Sequence, residues 1–492
     1  MDLSFVIIYC TVFLVLFWWY RRPKRAPPGP RGIPIFGAIP LMTMRPDKKF
    51  CEWSKMYGPV MSVRVGRSDW VVLSNFDVIT DALVKQGQKF IGRPWSMSKS
   101  ELAGEGHGLI FSNGELWKTQ RKFGFVTFRE VGVGKKNFED IIEEECNFLI
   151  HALQKHEGQA FDCSNYIRDA SGNIVCNLIF GRRFDWDSKT FKDFFKYDGV
   201  SNPKKAILLN IALVIPFLKY LPPFRSVMKD AHETLESVFD CYREEFKMHQ
   251  RDLNIEEPRD FIDAFLVQKI RKHGSPYFTE KQLRFYIRDL FGAGTDTTSN
   301  TLMWCLLAFL HYPNYQDKIY SEICEVVGED GFPSMSDRGS MPFTMAYLHE
   351  ILRCCSVAPL SVPRRTTCDV EINGYVIPKD SQVITNYWCV HNNPDVFVQP
   401  HEFKPERFIS PEGKFIASKH VMPFSIGPRN CLGEQVARME LFLFVVSIIR
   451  SFVIKADPAS ELPKLDDGNL GTTYSTRPFK MIFVSRNCST MK

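Results

Sequence analysis

Apolar residues recur at helical spacing over most of the stretch from 115 to 356, and the clearest runs predict helices over 136–156, 226–252 and 280–311. Alternation at 59–74 predicts two strands, Pro59–Val65 and Trp70–Leu73, joined by a Gly66-Arg67-Ser68-Asp69 turn. Short strands are predicted again in 363–390, punctuated by Asn373-Gly374 and Pro378-Lys379-Asp380. A further helix is predicted over about 433–450, and a β-rich tail over 470–486. No linker interrupts 38–492, and no repeat of 20–50 residues is visible. The pattern predicts a single mainly α domain over 38–492 with a small β region near each end, an α+β class.

The N-terminus follows a different pattern. Leu3–Tyr20 carries no charge, just long enough for a membrane-spanning helix, and Trp18, Trp19 and Tyr20 close it as interfacial aromatics do. Arg21, Arg22, Lys24 and Arg25 follow at once, which places the rest of the chain on the cytoplasmic side. A cleaved signal peptide is disfavoured by the lack of a basic start and of a small-residue cleavage site. We therefore expect a single-pass anchor at 3–20 and a basic, Pro-rich linker at 21–37, stiff and extended because Pro27, Pro28, Pro30 and Pro34 exclude helix. The apolar segment 207–224 reads as a surface hairpin that also meets the lipid.

Composition narrows the function. Hydrophobic residues at 45% and charged residues at 24% exclude a disordered chain. A net charge of +6 is mild for this length, too weak to suggest nucleic acid as a partner unless it is clustered. The 41 Phe and 16 Met supply a large soft core and suit an apolar small-molecule ligand. The 14 Cys are scattered with no C-x-x-C pair, so most are expected to be free, buried thiols in a reducing compartment. The Asn487-Cys488-Ser489 sequon is expected to be unused, since the topology places it in the cytoplasm.

The helix predicted from 280 opens with Thr279-Glu280-Lys281-Gln282, a capping-box pattern, and Pro313 ends it. At about 1.5 Å per residue it runs roughly 48 Å. Its centre, Gly292-Ala293-Gly294-Thr295-Asp296-Thr297-Thr298-Ser299, is poor helix material, with two glycines that cost about 2 kcal/mol relative to alanine. Either the glycines let a flat ligand reach the backbone, with Asp296 beside a hydroxyl as a proton relay, or they permit a close helix crossing.

One cysteine differs from the rest. Cys431 lies in the loop Phe424-Ser425-Ile426-Gly427-Pro428-Arg429-Asn430-Cys431-Leu432-Gly433, just before a helix. A helix N-terminus stabilises a thiolate, which is a strong iron ligand. Gly427 and Gly433 would let a macrocycle lie close, and Arg429 would meet a carboxylate of it.

Phe424-x-x-Gly427-x-Arg429-x-Cys431-x-Gly433 resembles the complete haem-binding signature of the cytochrome P-450 haem-thiolate monooxygenases. Ala293-Gly294-x-Asp296-Thr297-Thr298 resembles the family's oxygen-activation motif. Glu350-x-x-Arg353 with Pro405-Glu406-Arg407-Phe408 resembles its structural ion-pair triad, and Trp117-x-x-x-Arg121 its propionate-binding helix. The anchor and Phe111-Ser112-Asn113-Gly114 are most similar to the animal microsomal, family-2-like branch; Arg364 stands where that branch often has His.

The resemblance implies the cytochrome P-450 fold, with a long central helix over haem b and Cys431 as axial thiolate. It implies that Trp117, Arg121, Ala293, Arg364, Phe424, Gly427, Arg429 and Gly433 contact the cofactor. Asp296 and Thr297 would deliver protons, and Glu350, Arg353 and Arg407 would be structural. Phe111, Phe291, Leu360, Val362 and Thr473 would line the substrate pocket. The implied activity inserts one atom of O₂ into an apolar fatty acid, steroid or xenobiotic. Electrons would come from NADPH through cytochrome P-450 reductase, or from a b-type cytochrome, at a basic helix face bearing Lys118, Arg121, Lys122 and Arg129, followed by Lys135 and Lys136. The implied location is the endoplasmic reticulum membrane. A haem-thiolate isomerase or dehydratase and a non-catalytic haem sensor are the alternatives; the Asp296-Thr297 pair argues against the former.

Overall fold

A computed structural model describes residues 4–6, 13, 20–66, 68–197, 205, 208–209, 211–212, 216–328 and 331–486. The longer helices are α1 (Pro46–Tyr57), α2 (Gly114–Glu130), α3 (Lys136–Gln154), α4 (Ser164–Phe180), α5 (Phe224–Arg251), α6 (Phe261–Arg271), α7 (Glu280–His311), α8 (Asn314–Val326), α9 (Pro342–Cys354) and α10 (Glu434–Ser451). The strands are β1 (Val60–Val65), β2 (Ser68–Leu73), β3 (Ala160–Phe161), β4 (Arg364–Arg365), β5 (Val370–Ile372), β6 (Tyr375–Ile377), β7 (Gln382–Thr385), β8 (Phe452–Ala456), β9 (Asn469–Leu470), β10 (Tyr474–Ser475) and β11 (Met481–Ser485). The mainly helical reading and the placing of its β regions agree with this.

The largest sheet has the order β1-β2-β7-β4. Strand β2 starts two residues before the predicted Trp70, because Asp69 sits opposite Arg64 in the ladder and is paired with it at 2.7 Å. A charged turn residue thereby becomes a cross-strand partner. The Pro-rich run is extended, as expected, but it is also docked: Pro28 and Pro30 carbonyls accept from the Ser62 and Arg64 N–H groups of β1. Prolines cannot donate, so the segment serves the sheet edge as an acceptor.

Helix α7 starts and stops where its sequence predicts. Thr279 Oγ1 accepts from the Gln282 N–H at 3.1 Å. The reciprocal half of the capping box is absent, because the Gln282 amide accepts from Gly108 N–H and donates to Gly108 O, both at 3.0 Å. Two turns on, Asp289 Oδ2 accepts from Leu109 and Ile110 N–H at 2.8 Å each. Buried polar groups of α7 thus hold loop 104–113 in place. The centre of α7 contains a close helix crossing, one of the two readings proposed for it. A Cβ on Gly294 would lie 2.7 Å from Val175 of α4, so that glycine permits a close crossing, whereas Gly292 faces open space.

Helix α10 is buried almost all round from Val436 to Ile449 and packs with α3, α7, α8 and α9 in the main core. Ten described cysteines are free, as expected, but Cys51 of α1 is bonded to Cys389 in the short helix Tyr387–His391, with Cα atoms 5.3 Å apart. Their 338-residue separation hides this pairing from spacing arguments. Of the segment 3–20, only residues 4–6, 13 and 20 are described, as helix; among the described residues no helix is long and apolar enough to cross a membrane. Residues 207, 210 and 213–215 of the segment 207–224 and all of the 487–489 sequon likewise lie outside the described residues.

Candidate functional site

The Cys431 loop is built by backbone. The Cys431 N–H donates to Phe424 O at 2.8 Å, and Asn430 N–H to Gly427 O at 3.0 Å. Gly427 is left-handed (φ 79°), and a Cβ there would sit 1.8 Å from Leu83 O. The Leu83 backbone and the positive φ are sufficient to require a glycine at 427. At Gly433 nothing lies within 4 Å of where a Cβ would be. Phe424 is half-buried beneath the Arg438 guanidinium, 4.7 Å from its ring centre.

The Cys431 side chain is exposed to a water-sized probe, yet burial raises its thiol pKa, against the Gly433 backbone hydrogen bond that lowers it. The two facts agree if Sγ fronts a recess inside the protein rather than bulk water. A soft metal at the mouth of α10 would deprotonate such a thiol.

Beside this loop lies a cluster of buried arginines: Arg93, Arg121, Arg364 and Arg429. Arg429 donates to the carbonyls of Ile91 (2.8 Å) and Ser112 (2.6 Å), and its guanidinium lies 4.1 Å from the Trp117 ring centre. Arg93 donates to Ile110, Val362 and Pro363 carbonyls, each at 2.8 Å. Arg364, in β4, donates to Ser425 Oγ at 3.0 Å and to Arg429 O at 3.1 Å. Arg121 donates to Asn430 Oδ1 at 2.6 Å. Its burial corrects its assignment to a basic solvated helix face; Lys118, Lys122, Arg129, Lys135 and Lys136 are the exposed members.

No carboxylate among the described residues pairs with any of the four, and Arg121 Nε and Arg364 Nε have no partner. Burial first, then mutual repulsion from Arg364 and Arg121, pushes Arg429 down to about 8. Burial pushes Arg364 to about 10. Arg93 is driven well below the arginine range by burial and by Arg364 and Arg429. Uncompensated buried cations are strongly unfavourable, so the cluster calls for a multiply charged anion. The two carboxylates of a haem, with the macrocycle against Gly433 and iron at Cys431, fit that demand.

The centre of α7 carries Ala293, Asp296 and Thr297. Ala293 is exposed in a helix that is otherwise largely buried, consistent with a cavity wall. Thr297 is half-buried and its Oγ1 donates to Ala293 O at 2.8 Å. Asp296 does not reach Thr297: its Oδ2 accepts from Thr473 at 2.6 Å and its Oδ1 from Asn300 at 2.9 Å. Burial raises its pKa and these two bonds oppose the rise.

The residues expected to line a substrate pocket are dispersed in role. Phe111 is half-buried, and Phe291 is buried against Phe195, ring centres 5.1 Å apart. Leu360 packs with the cluster of Ala38, Phe50 and Trp53, and Val362 is exposed. Thr473 is spent on Asp296.

Glu350 is fully buried with Arg353, Nε to Oε2 2.7 Å. Arg407 reaches the same carboxylate at 3.0 Å. Arg353 also donates to His391 and Pro400 carbonyls, which ties α9 to the segment leading into the Cys431 loop. Arg93 escaped the sequence reading, since a lone Arg before Pro94 carries no motif. Its signal is the side chain of Asn113, which leaves α2 uncapped and accepts instead from the Arg93 N–H at 2.6 Å.

The family model for Cytochrome P450 matches residues 27–483. Cytochrome P450 2H2 of Gallus gallus is 36% identical over 490 residues, 98% of each chain. Cytochrome P450 2C14 of Oryctolagus cuniculus is 36% identical over 506 residues, covering 100% of this chain and 98% of its own. Cytochrome P450 2U1 of Bos taurus is 34% identical over 521 residues, covering 98% and 94%. The chain belongs to the cytochrome P450 family and is similar to its family-2 members. It is a monooxygenase of the class that uses haem iron with a cysteine thiolate ligand.

Proposed function

We propose that this chain is a membrane-anchored enzyme that inserts one atom of O₂ into apolar organic substrates, with NADPH electrons relayed by a flavoprotein reductase or a b-type cytochrome. The observation that carries the reading is the buried, unpaired arginine cluster beside Cys431. Bound haem supplies the oxygen activation. Cys431 holds the iron as thiolate. Arg93, Arg121, Arg364 and Arg429 clamp the propionates, with Trp117 packed on Arg429. Thr297 presents a hydroxyl beside the ligand space, and Asp296, bonded to Thr473 and Asn300 rather than to Thr297, is the acid through which protons enter. Phe111, Phe291, Leu360 and Val362 keep the substrate side apolar and dry. Glu350, Arg353 and Arg407 are structural: they fix the chain that leads into the Cys431 loop.

Residues 3–20 anchor the chain in the endoplasmic reticulum membrane with the body in the cytoplasm, and 21–37 link the two. The basic edge at Lys118, Lys122 and Arg129, exposed on α2, receives the acidic donor.

Reconstitution with reductase in lipid tests the function: NADPH and O₂ should be consumed together when an apolar substrate is present. Substrate conversion without reductase or O₂ would instead indicate the isomerase reading. Deletion of residues 1–21 should weaken vesicle binding, with some binding kept through 207–224 and haem retained; failure to take up haem would refute the division into anchor and body.

A further inference from the structure

Asp296, Asn300 and Thr473 close a ring. Asn300 Nδ2 donates to Asp296 Oδ1 at 2.9 Å and to Thr473 Oγ1 at 3.1 Å, and Thr473 Oγ1 donates to Asp296 Oδ2 at 2.6 Å. A threonine hydroxyl has one proton. With Asn300 donating to it, that proton is left for Asp296. Both oxygens of Asp296 therefore accept, and the ring with these donor directions needs Oδ2 unprotonated. Protonation at Oδ2 breaks or reverses the Thr473 bond.

The turn that carries Thr473 is itself held on α7. The next residue, Tyr474, accepts at its carbonyl from Trp304 Nε1 at 3.1 Å, stacks on the Trp304 ring at 5.0 Å, and donates its N–H to Val357 O at 2.8 Å. Trp304 lies one helical turn beyond Asn300 and two beyond Asp296. Around Asp296, burial favours the neutral acid, and only the two neutral donors favour the carboxylate; no charged side chain among the described residues contributes a resolved effect. The nearby Tyr474 phenol is pushed up to about 12 by burial and stays neutral.

We propose that Thr473 is a positioning residue of the reaction: its hydroxyl, oriented by Asn300, keeps Asp296 as a carboxylate directed at the C-terminal turn and away from Thr297. The position of that turn then sets the pH at which Asp296 takes a proton from solvent water to pass on. This rests on the reading of Asp296 as the proton source. It replaces the expectation that Thr473 is simply a substrate-contacting wall.

The test uses the full-length, haem-loaded chain and infrared difference spectra recorded across a pH series. The carboxylic-acid carbonyl band of Asp296 is assigned by its loss in Asp296→Asn. Thr473→Val keeps the shape of the wall and removes the hydroxyl. Losing a hydrogen bond to a charged group should move the Asp296 titration upward by about 1–2 pH units. Thr473→Ser should restore it. The pH dependence of peroxide released per product should shift by the same amount in Thr473→Val. An Asp296 titration unmoved in Thr473→Val, or a shift that Thr473→Ser does not rescue, overturns the proposal. The reduced carbon monoxide spectrum of the same samples separates this from the haem reading. If that spectrum is not of the thiolate type, the haem reading falls, while the infrared titration still decides the role of Thr473.

Discussion

The Arg364 guanidinium donates to the backbone carbonyl of Arg429 at 3.1 Å, so two cations are fixed side by side in the interior with no acid between them. Each is held by neutral acceptors that a lysine or glutamine could also satisfy. The charge itself is what lacks a partner.

Replacing Arg364 by Gln should therefore weaken cofactor retention more than the fold. A charge-assisted bond is worth about 1.5–3 kcal/mol, so haem loss to a scavenging globin should speed up about 10- to 100-fold. The unfolding midpoint of the haem-free protein should change little, or rise, as repulsion with Arg429 and Arg93 is relieved. An unchanged rate of haem loss would remove Arg364 from the cofactor site.

His249 in α5 predicts a pH-dependent stability. Its Nε2 lies 3.0 Å from Asp260 Oδ2 and its Nδ1 2.8 Å from the Glu245 carbonyl oxygen, both acceptors, so both ring nitrogens carry protons. Burial alone would lower its pKa from 6.5, but the hydrogen bond and charge of Asp260, with the Glu245 carbonyl, raise it. A raised folded value stabilises fully below the unfolded value near 6.5, and that stabilisation is lost as pH rises through the folded value. His249→Gln should be about 1–2 kcal/mol less stable at pH 6 and should converge on the wild type at alkaline pH. Parallel midpoint curves for the two proteins against pH would contradict this.

Glu440 in α10 runs the other way. Its Oε2 is buried without a partner, and burial holds its acid well above the ordinary 4.5. Burial favours the neutral acid in the fold while the unfolded chain ionises it, so the group costs stability as pH rises above about 4.5. Glu440→Gln should raise the unfolding midpoint at pH 7.5, and the gain should vanish as pH falls below 4.5. A lower midpoint at pH 7.5 would mean that the carboxylate has a partner.

What the sequence made legible was local. The cap at Thr279, the stop at Pro313 and the loop before α10 follow from neighbouring residues, and the long helices came out within a few residues. What it hid depends on contacts far along the chain. Gln282 completes a capping box by pattern, but the fold uses its amide on Gly108, 174 positions away. Asp296 adjoins Thr297 in sequence, yet successive helix residues point 100° apart, and Asp296 meets Thr473 instead. That Gly427 abuts the Leu83 backbone was likewise invisible in its neighbours. Arg93 joined the arginine cluster only through the fold.

The account stands or falls most directly on Cys431. The reduced carbon monoxide complex of the full-length protein should show the thiolate-specific band, and Cys431→Ser should lose it, because a serine oxygen cannot replace the electron donation of sulfur. The same band persisting in Cys431→Ser would show that another residue ligates the iron and that the α10 mouth is not the haem site.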